Sequence, residues 1–186
     1  MTSREEYLRW LAQKQLDGEL RAELLSIENA PGEIEERFYA SLEFGTAGLR
    51  GILGAGTNRM NAPVVRRATA GLAEYILSFA GGASRGVAIA YDSREKSDLF
   101  ALETAKTLAA FGVKAHLFPG LRPVPLLSFA LRRLNCIAGV VVTASHNPPA
   151  YNGYKVYWEH GGQCGPEQAK EIYSRMTRFD YFGIPS

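Results

Sequence analysis

The stretch IAGVVVT, residues 137–143, is the most apolar segment of the chain, and the polar turn ASHNPP, residues 144–149, follows it directly. An apolar run without alternation is typical of a strand that is buried on both faces, in a sheet with helices on each side. From residue 44 onward, further short apolar segments alternate with segments of helical periodicity. This alternation predicts an α/β fold, a three-layer α/β/α domain around a mostly parallel, mixed sheet.

Periodicity and turn signals place the other elements of this domain. Strands are predicted at 87–91, 113–118 and 154–158, and helices near 64–79, 99–109, 124–134 and 166–176. Asn61 is predicted to cap the first of these helices, and Gly112 to end the second, which Leu99 and Leu102 mark by their spacing. The pair Asn152-Gly153 is a tight-turn signal that returns the chain into the last strand.

Composition places the chain among ordinary globular proteins. Its 186 residues are 46% hydrophobic and 22% charged, which excludes collagen-like and wholly disordered chains. No apolar stretch approaches the ~18 residues of a membrane span, and the charged N-terminus lacks the apolar stretch of a signal peptide. Two cysteines and three histidines exclude a disulfide scaffold and disfavour a structural zinc site. The expectation is a cytoplasmic protein without a membrane partner.

Charge divides the chain at about residue 43. Residues 1–43 hold five Lys/Arg against ten Asp/Glu, whereas residues 44–186 hold sixteen against nine. Apolar stripes over 4–30 predict two short helices in the acidic part, which end before Pro31-Gly32. We interpret residues 1–43 as a helical arm that either packs on the main domain, 44–186, or binds a partner. The mild positive charge of the domain suits phosphorylated small molecules and is too scattered for nucleic acid.

The polar turn after the buried strand is the first candidate for a functional site, because ligands bind at the carboxyl ends of strands in open α/β sheets. Ser145 in this turn can be a nucleophile or a phosphate carrier, and His146 beside it can hold or move a proton near neutral pH. Lys155 begins the following strand and can offset phosphate charge or act as a base. The alternatives are an ordinary polar turn and a solvated lysine on an edge strand.

Polar residues in three other segments are further candidates. Arg50 stands among glycines, so that its backbone can approach a ligand closely, and a guanidinium matches the geometry of phosphate. Asp92 and Arg94 follow the strand at 87–91; they either orient Arg50 or the serine turn, or Asp92 or its neighbour caps a helix. Arg122 is either a loop brace or a phosphate contact.

Several of these segments together resemble a known family. The sequence TASHNP at 143–148, followed by NGYK at 152–155, resembles the phosphoserine loop of the α-D-phosphohexomutase superfamily, and FGTAGLRG at 44–51 resembles its first motif. Shorter segments fit as well, namely NRMN at 58–61, YDSR at 91–94, LRP at 121–123 and GGQ at 161–163. Together they resemble the phosphoglucomutase branch, which includes phosphopentomutase-like enzymes, and the resemblance covers nearly the whole chain.

The resemblance implies that this chain is the first of four domains in a mutase. Such an enzyme interconverts sugar 1-phosphates and 6-phosphates, glucose phosphates foremost, through a sugar bisphosphate that also acts as activator. It implies that Ser145 carries the phosphoryl group, that Arg50, His146 and Lys155 act in catalysis and bind phosphate, and that Asn147 binds phosphate. It also implies Mg²⁺, ligated by the phosphoserine oxygen on Ser145. The partners are then sugar phosphates and the remaining domains, with neither nucleic acid nor membrane.

The sequence also departs from the family pattern. The Asp-Gly-Asp-Gly-Asp-Arg metal run of the second domain, the sugar-selecting loop of the third and the phosphate-binding loop of the fourth are absent from these 186 residues. The chain ends at Pro185-Ser186, which we interpret as the start of a linker. We therefore expect one domain of a longer protein, inactive by itself. The alternatives are a free-standing, non-enzymatic module that keeps the loop as a phosphorylation site, and an enzyme specific for mannose or pentose phosphates.

Overall fold

The computed structural model describes residues 1–46 and 48–186, and a five-stranded sheet forms their centre. The strands are β1 (Gly48–Ile52), β2 (Val87–Tyr91), β3 (Ala115–Leu117), β4 (Ala138–Val142) and β5 (Tyr151–Trp158), in the spatial order β1-β5-β4-β2-β3. Strands β3, β2 and β4 pair in parallel, whereas β5 is antiparallel to both β4 and β1. Four strands therefore share one direction and only β5 opposes them, which confirms the predicted mixed, mostly parallel sheet.

Helices cover both faces of this sheet. The helices of the described residues are α1 (Ser3–Leu11), α2 (Gly18–Ser26), α3 (Pro31–Phe38), α4 (Ala62–Leu77), α5 (Gly82–Arg85), α6 (Ser97–Ala110), α7 (Val124–Arg133) and α8 (Pro166–Met176). On one face, α7 packs on β2 and β4, with Leu127 and Leu131 in the contact. On the other face, α4, α6 and α8 share a core with the arm, and all five residues of β4 are buried between the layers. The predicted three layers are confirmed. None of the described helices is long and apolar enough to cross a membrane.

Capping residues determine where two of the helices begin. The side chain of Asn61 accepts a hydrogen bond from the backbone N–H of Val64 at 3.0 Å, as predicted, and Pro63 occupies the first turn of α4. In the arm, Asp17 accepts from the backbone N–H of Glu19 at 2.9 Å and so starts α2. The two helices predicted for the arm are therefore present as α1 and α2.

The arm is an integral part of the hydrophobic core. Tyr7 and Trp10 of α1 are fully buried. The Trp10 ring packs edge-on against Phe38 of α3 and Phe182 near the C-terminus, with centroid distances of 5.7 and 5.1 Å. The arm therefore packs on the domain in this structure, and its boundary at residue 43 stays a prediction.

The segment before β5 differs from its predicted structure. Asn152-Gly153 is not a turn, because both residues lie inside β5 and Gly153 pairs with Arg50 of β1. A Cβ at Gly153 would lie 2.7 Å from the Thr143 carbonyl oxygen. The close approach of neighbouring strands, and not a turn, is therefore the reason for glycine at this position.

Two helices also correct the predictions. The second arm helix ends before Pro31, as predicted. Pro31 then begins α3, a helix that was not predicted. Proline is tolerated in a first helical turn because the backbone N–H that it lacks would have no partner there. In α6, Leu99 and Leu102 are 42% and 43% exposed, and Phe100 and Leu108 face the core instead. The position of α6 was predictable, whereas its buried face was not.

Candidate active site

A turn of residues 143–150, here called the serine loop, follows β4 at the carboxyl end of the sheet. Within it, Ser145 is exposed and has a φ of +57°, a left-handed conformation that costs a residue other than glycine about 1–2 kcal/mol. The backbone N–H of Ser145 donates to the Thr143 hydroxyl at 2.9 Å, and that of Asn147 donates to the Ala144 carbonyl at 3.1 Å. The loop thus turns sharply out of a buried strand and leaves the serine side chain accessible.

The side chain of Arg94 holds the serine loop through backbone carbonyl groups of the loop. The guanidinium of Arg94 donates to four backbone carbonyl oxygens, those of Ser145 (2.9 Å), Asn147 (2.6 Å), Pro148 (2.9 Å) and Tyr151 (3.0 Å). These carbonyls converge on a single cation, which offsets the negative ends of their dipoles. Of the alternatives for Arg94, the structure selects the one in which it orients the serine loop.

Asp92 orients Arg94 in turn. Its carboxylate accepts from the backbone N–H of Arg94 at 3.0 Å and from the Ser97 hydroxyl at 2.9 Å, and it lies 3.7 Å from Nε of Arg94. The alternative in which Asp92 or Ser93 caps a helix is wrong, because α6 begins at Ser97 and its N-cap position is Lys96.

Asn152 is a member of this support that the sequence analysis assigned to a turn. It is fully buried, and its amide nitrogen donates to the Glu95 carbonyl at 2.9 Å and to the Ser97 hydroxyl at 3.0 Å. These bonds tie β5 to the segment that carries Asp92 and Arg94. No sequence signal marks this role, since Asn-Gly is also a strong hairpin pattern.

Arg50 reaches the serine loop from β1. Its Nη1 donates to the side-chain oxygen of Asn147 at 2.7 Å. Within residues 1–46 and 48–186 this is the one hydrogen bond of the Arg50 guanidinium, so its other donors remain available to a ligand. Ala47, which belongs to the first motif, lies outside the described residues.

Lys155 lies on the same face of the sheet as Arg50. Arg50 is opposite Gly153 and Lys155 is opposite Gly48 in the β1–β5 ladder, and paired residues of antiparallel strands point to one side. An open groove of about 560 Å³ follows this face, and Glu43, Thr46 and Gln163 also line it. The guanidinium of Arg50 and the ammonium group of Lys155 therefore line the same side of this groove.

The environment of Lys155 makes it easier to deprotonate than a solvated lysine. Burial lowers the pKa of its ammonium group, the positive charge of Arg50 lowers it further, and Asp92 opposes the shift. A lowered pKa brings the neutral amine closer to neutral pH, which suits a proton acceptor. Because the side chain is half-buried, the alternative of a solvated edge-strand lysine does not describe it.

The two remaining candidates lie in different places. His146 is exposed on the serine loop, and no described side chain or backbone group bonds its ring. Arg122 instead donates from Nη1 to the Leu121 carbonyl at 2.7 Å, and its guanidinium lies 5.8 Å from the Phe118 ring centroid. These contacts favour the loop brace among the two alternatives for Arg122.

The described residues can supply only a few of the ligands that a magnesium site needs. In the described part of the chain, no group of three or more His, Cys, Asp and Glu side chains converges. Mg²⁺ prefers near-octahedral coordination by oxygen, and the accessible Ser145 hydroxyl, or a phosphate on it, fits as one such ligand. The Asp92 carboxylate is already engaged by Arg94 and Ser97.

The fold and the site together define a class of domain: an α/β/α layer structure that displays a serine beside an arginine and a half-buried lysine, an arrangement suited to phosphate. The sequence model described as "Phosphoglucomutase/phosphomannomutase, alpha/beta/alpha domain I" matches residues 41–181. The chain belongs to the phosphoglucomutase/phosphomannomutase family, and these residues are its domain I.

Individual relatives agree with this assignment. A Schizosaccharomyces pombe protein named "Probable phosphoribomutase" is 44% identical over 140 residues, which are 75% of this chain and 24% of that protein. The phosphoglucomutase of Staphylococcus saprophyticus is 44% identical over 135 residues, 73% of this chain and 24% of that protein. The crystal structure of a phosphoglucomutase/phosphomannomutase family protein from Burkholderia thailandensis superposes with a TM-score of 0.61 at 27% identity, over 74% of this chain and 30% of that one. The chain spans about a quarter of the length of the curated relatives it matches.

Proposed function

We propose that this chain is the phosphoserine-carrying domain of a longer, cytoplasmic phosphoglucomutase-type enzyme. Residues 1–43 are then its helical arm and residues 44–186 its first domain. The enzyme interconverts sugar 1-phosphates and sugar 6-phosphates, with glucose phosphates as the first candidates. The observation that supports this proposal is the setting of Ser145, which is exposed and left-handed at the end of β4, on a loop bonded to Arg50.

The proposed first step transfers the phosphoryl group from Ser145 to a hydroxyl of a bound sugar phosphate. The bond between the serine Oγ and phosphorus breaks, and a bond between phosphorus and the sugar oxygen forms. The amine of Lys155 takes the hydroxyl proton, and His146 gives a proton to the departing serine oxygen. The product is a sugar bisphosphate.

The second step regenerates the phosphoserine. The bisphosphate turns around in the site, and its other phosphoryl group passes to the Ser145 hydroxyl while the proton transfers run in reverse. The sugar leaves with its phosphate at a new position, and the protein returns to its starting state. Lys155 and His146 therefore alternate between acid and base, which a lowered pKa for Lys155 assists.

Positive charge near the loop supports both steps. Arg50 has donors available for phosphate oxygens, and because it bonds the side-chain oxygen of Asn147, it leaves that amide's N–H groups available as well. Mg²⁺, bound to an oxygen on Ser145 and to ligands outside this chain, would supply charge neutralisation on the transferring phosphoryl group.

A pentose phosphate is the second candidate substrate. The identity to the protein named as a phosphoribomutase equals that to the phosphoglucomutase, at 44%. The residues that choose the sugar are expected in parts of the enzyme outside this chain, so both sugars belong in the test.

The test is a coupled assay of the complete polypeptide that contains this chain. We expect conversion of glucose 1-phosphate to glucose 6-phosphate with Mg²⁺ and a bisphosphate activator, and we would run ribose 1-phosphate in parallel. Ser145→Ala should abolish turnover, whereas Ser174→Ala, on the exposed surface of α8, should not. Full turnover by Ser145→Ala would overturn the proposal. Phosphoryl transfer needs a positioned sugar and metal, which we assign to other domains of the enzyme. Robust turnover by the 186-residue chain alone would therefore overturn the proposal that those domains are required.

A further inference from the structure

We propose that Arg94 is a positioning residue for phosphoryl transfer, which sets the direction of the Ser145 hydroxyl through the backbone of the serine loop and does not itself bind phosphate. This inference rests on the proposed function of Ser145. It assigns distinct tasks to the two arginines that contact the loop, Arg50 and Arg94.

The hydrogen bonds of Arg94 use four of its five donors, and the fifth faces a carboxylate. A guanidinium group has five N–H bonds. Two donors at Nη1 and two at Nη2 reach four carbonyl oxygens, and Nε faces the Asp92 carboxylate at 3.7 Å. Both terminal nitrogens, Nη1 and Nη2, are therefore occupied by the loop, and Nε lies beside a carboxylate instead of an open surface. Arg50 differs, because one of its bonds reaches Asn147 and the others remain available.

The backbone of Ser145 explains why the loop needs this support. Its φ of +57° is unfavourable for serine, so an unsupported loop would relax toward ordinary backbone conformations and turn the hydroxyl away. Arg94 opposes this relaxation directly, since it binds the carbonyl oxygen of Ser145 itself. A displacement of about 1 Å at a reacting atom can lower a rate about 10²-fold.

The support beneath Arg94 is anchored in the core. Asp92 is bonded to Ser97 at the start of α6, and the fully buried Asn152 bonds Ser97 as well as the Glu95 carbonyl. These bonds fix the segment that carries Arg94, so its guanidinium keeps its contacts with the loop carbonyls when a ligand binds. A lysine has only three donors at one point and cannot span the four carbonyls.

The test compares Arg94→Lys with Arg85→Lys in the complete polypeptide. Arg85 is a matched control, because its guanidinium also donates to a backbone carbonyl, that of Asn135 at 3.0 Å. It also pairs with Glu159, and both contacts lie outside the serine loop. We expect Arg94→Lys to lower kcat about 10²-fold with little change in KM for the sugar phosphate. Amide hydrogen exchange in the serine loop should become faster. Arg85→Lys should leave kcat unchanged.

A second pair of variants keeps the proposal testable if one variant folds poorly. Added guanidinium ion should partly restore the rate of Arg94→Ala, and Asp92→Asn should lower kcat in the same direction as Arg94→Lys. A raised KM with unchanged kcat would show that Arg94 binds phosphate, and unchanged kcat in both Arg94→Lys and Asp92→Asn would remove the positioning role. Either result overturns the inference. Phosphate on Ser145 of the unchanged enzyme is measured in parallel, because its absence would overturn the proposed function and this inference with it.

Discussion

The Nη1 atom of Arg50 lies 2.7 Å from the side-chain oxygen of Asn147, and this hydrogen bond joins residues 97 positions apart in the sequence. The contact forms because β5 returns from the serine loop between β4 and β1 and pairs antiparallel with both. The two motifs that are most distinctive in the sequence therefore meet at one end of the sheet. The serine loop therefore contacts two cations, Arg50 from β1 and Arg94 from the segment after β2.

Loss of the Arg50 guanidinium should impair catalysis much more than folding. We expect Arg50→Gln to lower kcat of the complete enzyme about 10²–10³-fold, because a positioned donor to the transferring group is lost. The unfolding free energy should change by less than about 0.5 kcal/mol, since the side chain is exposed. Steady-state kinetics and urea unfolding measure both. Arg133→Gln, exposed on α7, is the control, and equal kinetics in the two variants would contradict the role of Arg50.

Lys155→Met should separate activity from stability. We expect kcat to fall roughly 10²–10⁴-fold, as for loss of a group that transfers protons. Stability at neutral pH should stay the same or rise, because a partly buried ammonium next to Arg50 is unfavourable and methionine removes it. Lys170→Met, exposed on α8, should change neither quantity. Near-normal turnover of Lys155→Met would return this residue to the role of an ordinary surface lysine.

The lowered pKa of Lys155 also predicts a pH dependence of stability. Between that pKa and the ordinary lysine value of 10.5, the unfolded chain binds a proton that the folded chain does not. Stability contributed by this site therefore rises with pH through that interval and is reduced below it. The difference in unfolding free energy between Lys155→Met and the unchanged protein should shrink from neutral toward alkaline pH. A difference that grows would contradict the direction of the shift.

Gly153 should tolerate no side chain. In Gly153→Ala the new Cβ would meet the carbonyl oxygens of Thr143 at 2.7 Å and Leu49 at 2.9 Å, so the strands must separate. We expect a loss of about 1–3 kcal/mol in unfolding free energy, measured by urea titration. Gly32→Ala, which meets nothing within 4 Å, should be neutral or slightly stabilising. Equal stability of the two variants would show that the β1–β5–β4 ladder is less tightly packed than described.

The arm should contribute to the stability of the whole fold. Trp10 is fully buried, so Trp10→Ala should cost about 3–5 kcal/mol in unfolding free energy. Leu8→Ala is the control, since Leu8 lies on the same helix but is 51% exposed. A small effect of Trp10→Ala, with one unfolding transition retained, would indicate an arm that is dispensable for the domain.

Where the sequence signal was local, it predicted the fold well. The continuous apolar pattern of 137–143 identified the central strand, and Asn61 with Pro63 identified the start of α4. The pattern was misleading where one residue type serves two purposes. Pro31 was interpreted as a helix stop but begins α3, since α2 has already ended at Ser26. The Asn152-Gly153 pair resembles a turn although it lies within a strand.

The candidate site was predictable in its residues more than in its contacts. Ser145 was proposed from its position after a buried strand, Arg50 from its glycine neighbours, and Lys155 from its position at the start of a strand, together with the family motifs. The structure brings Arg50 to the serine loop. The contacts of Arg94 could not be predicted from the sequence, because its partners are backbone carbonyls, which carry no residue-specific signal. The fully buried side chain of Asn152 was missed for a related reason, since its partners include a carbonyl and a hydroxyl that any sequence can supply.

The most direct test of the account is the location of phosphate after incubation of the complete enzyme with a sugar bisphosphate. Intact-mass measurement and peptide mapping should find one phosphate on the peptide that contains Ser145, and it should disappear when excess sugar monophosphate is added. Ser145→Ala should acquire none and should be inactive. Stable phosphate on a different residue, together with full activity of Ser145→Ala, would contradict the account.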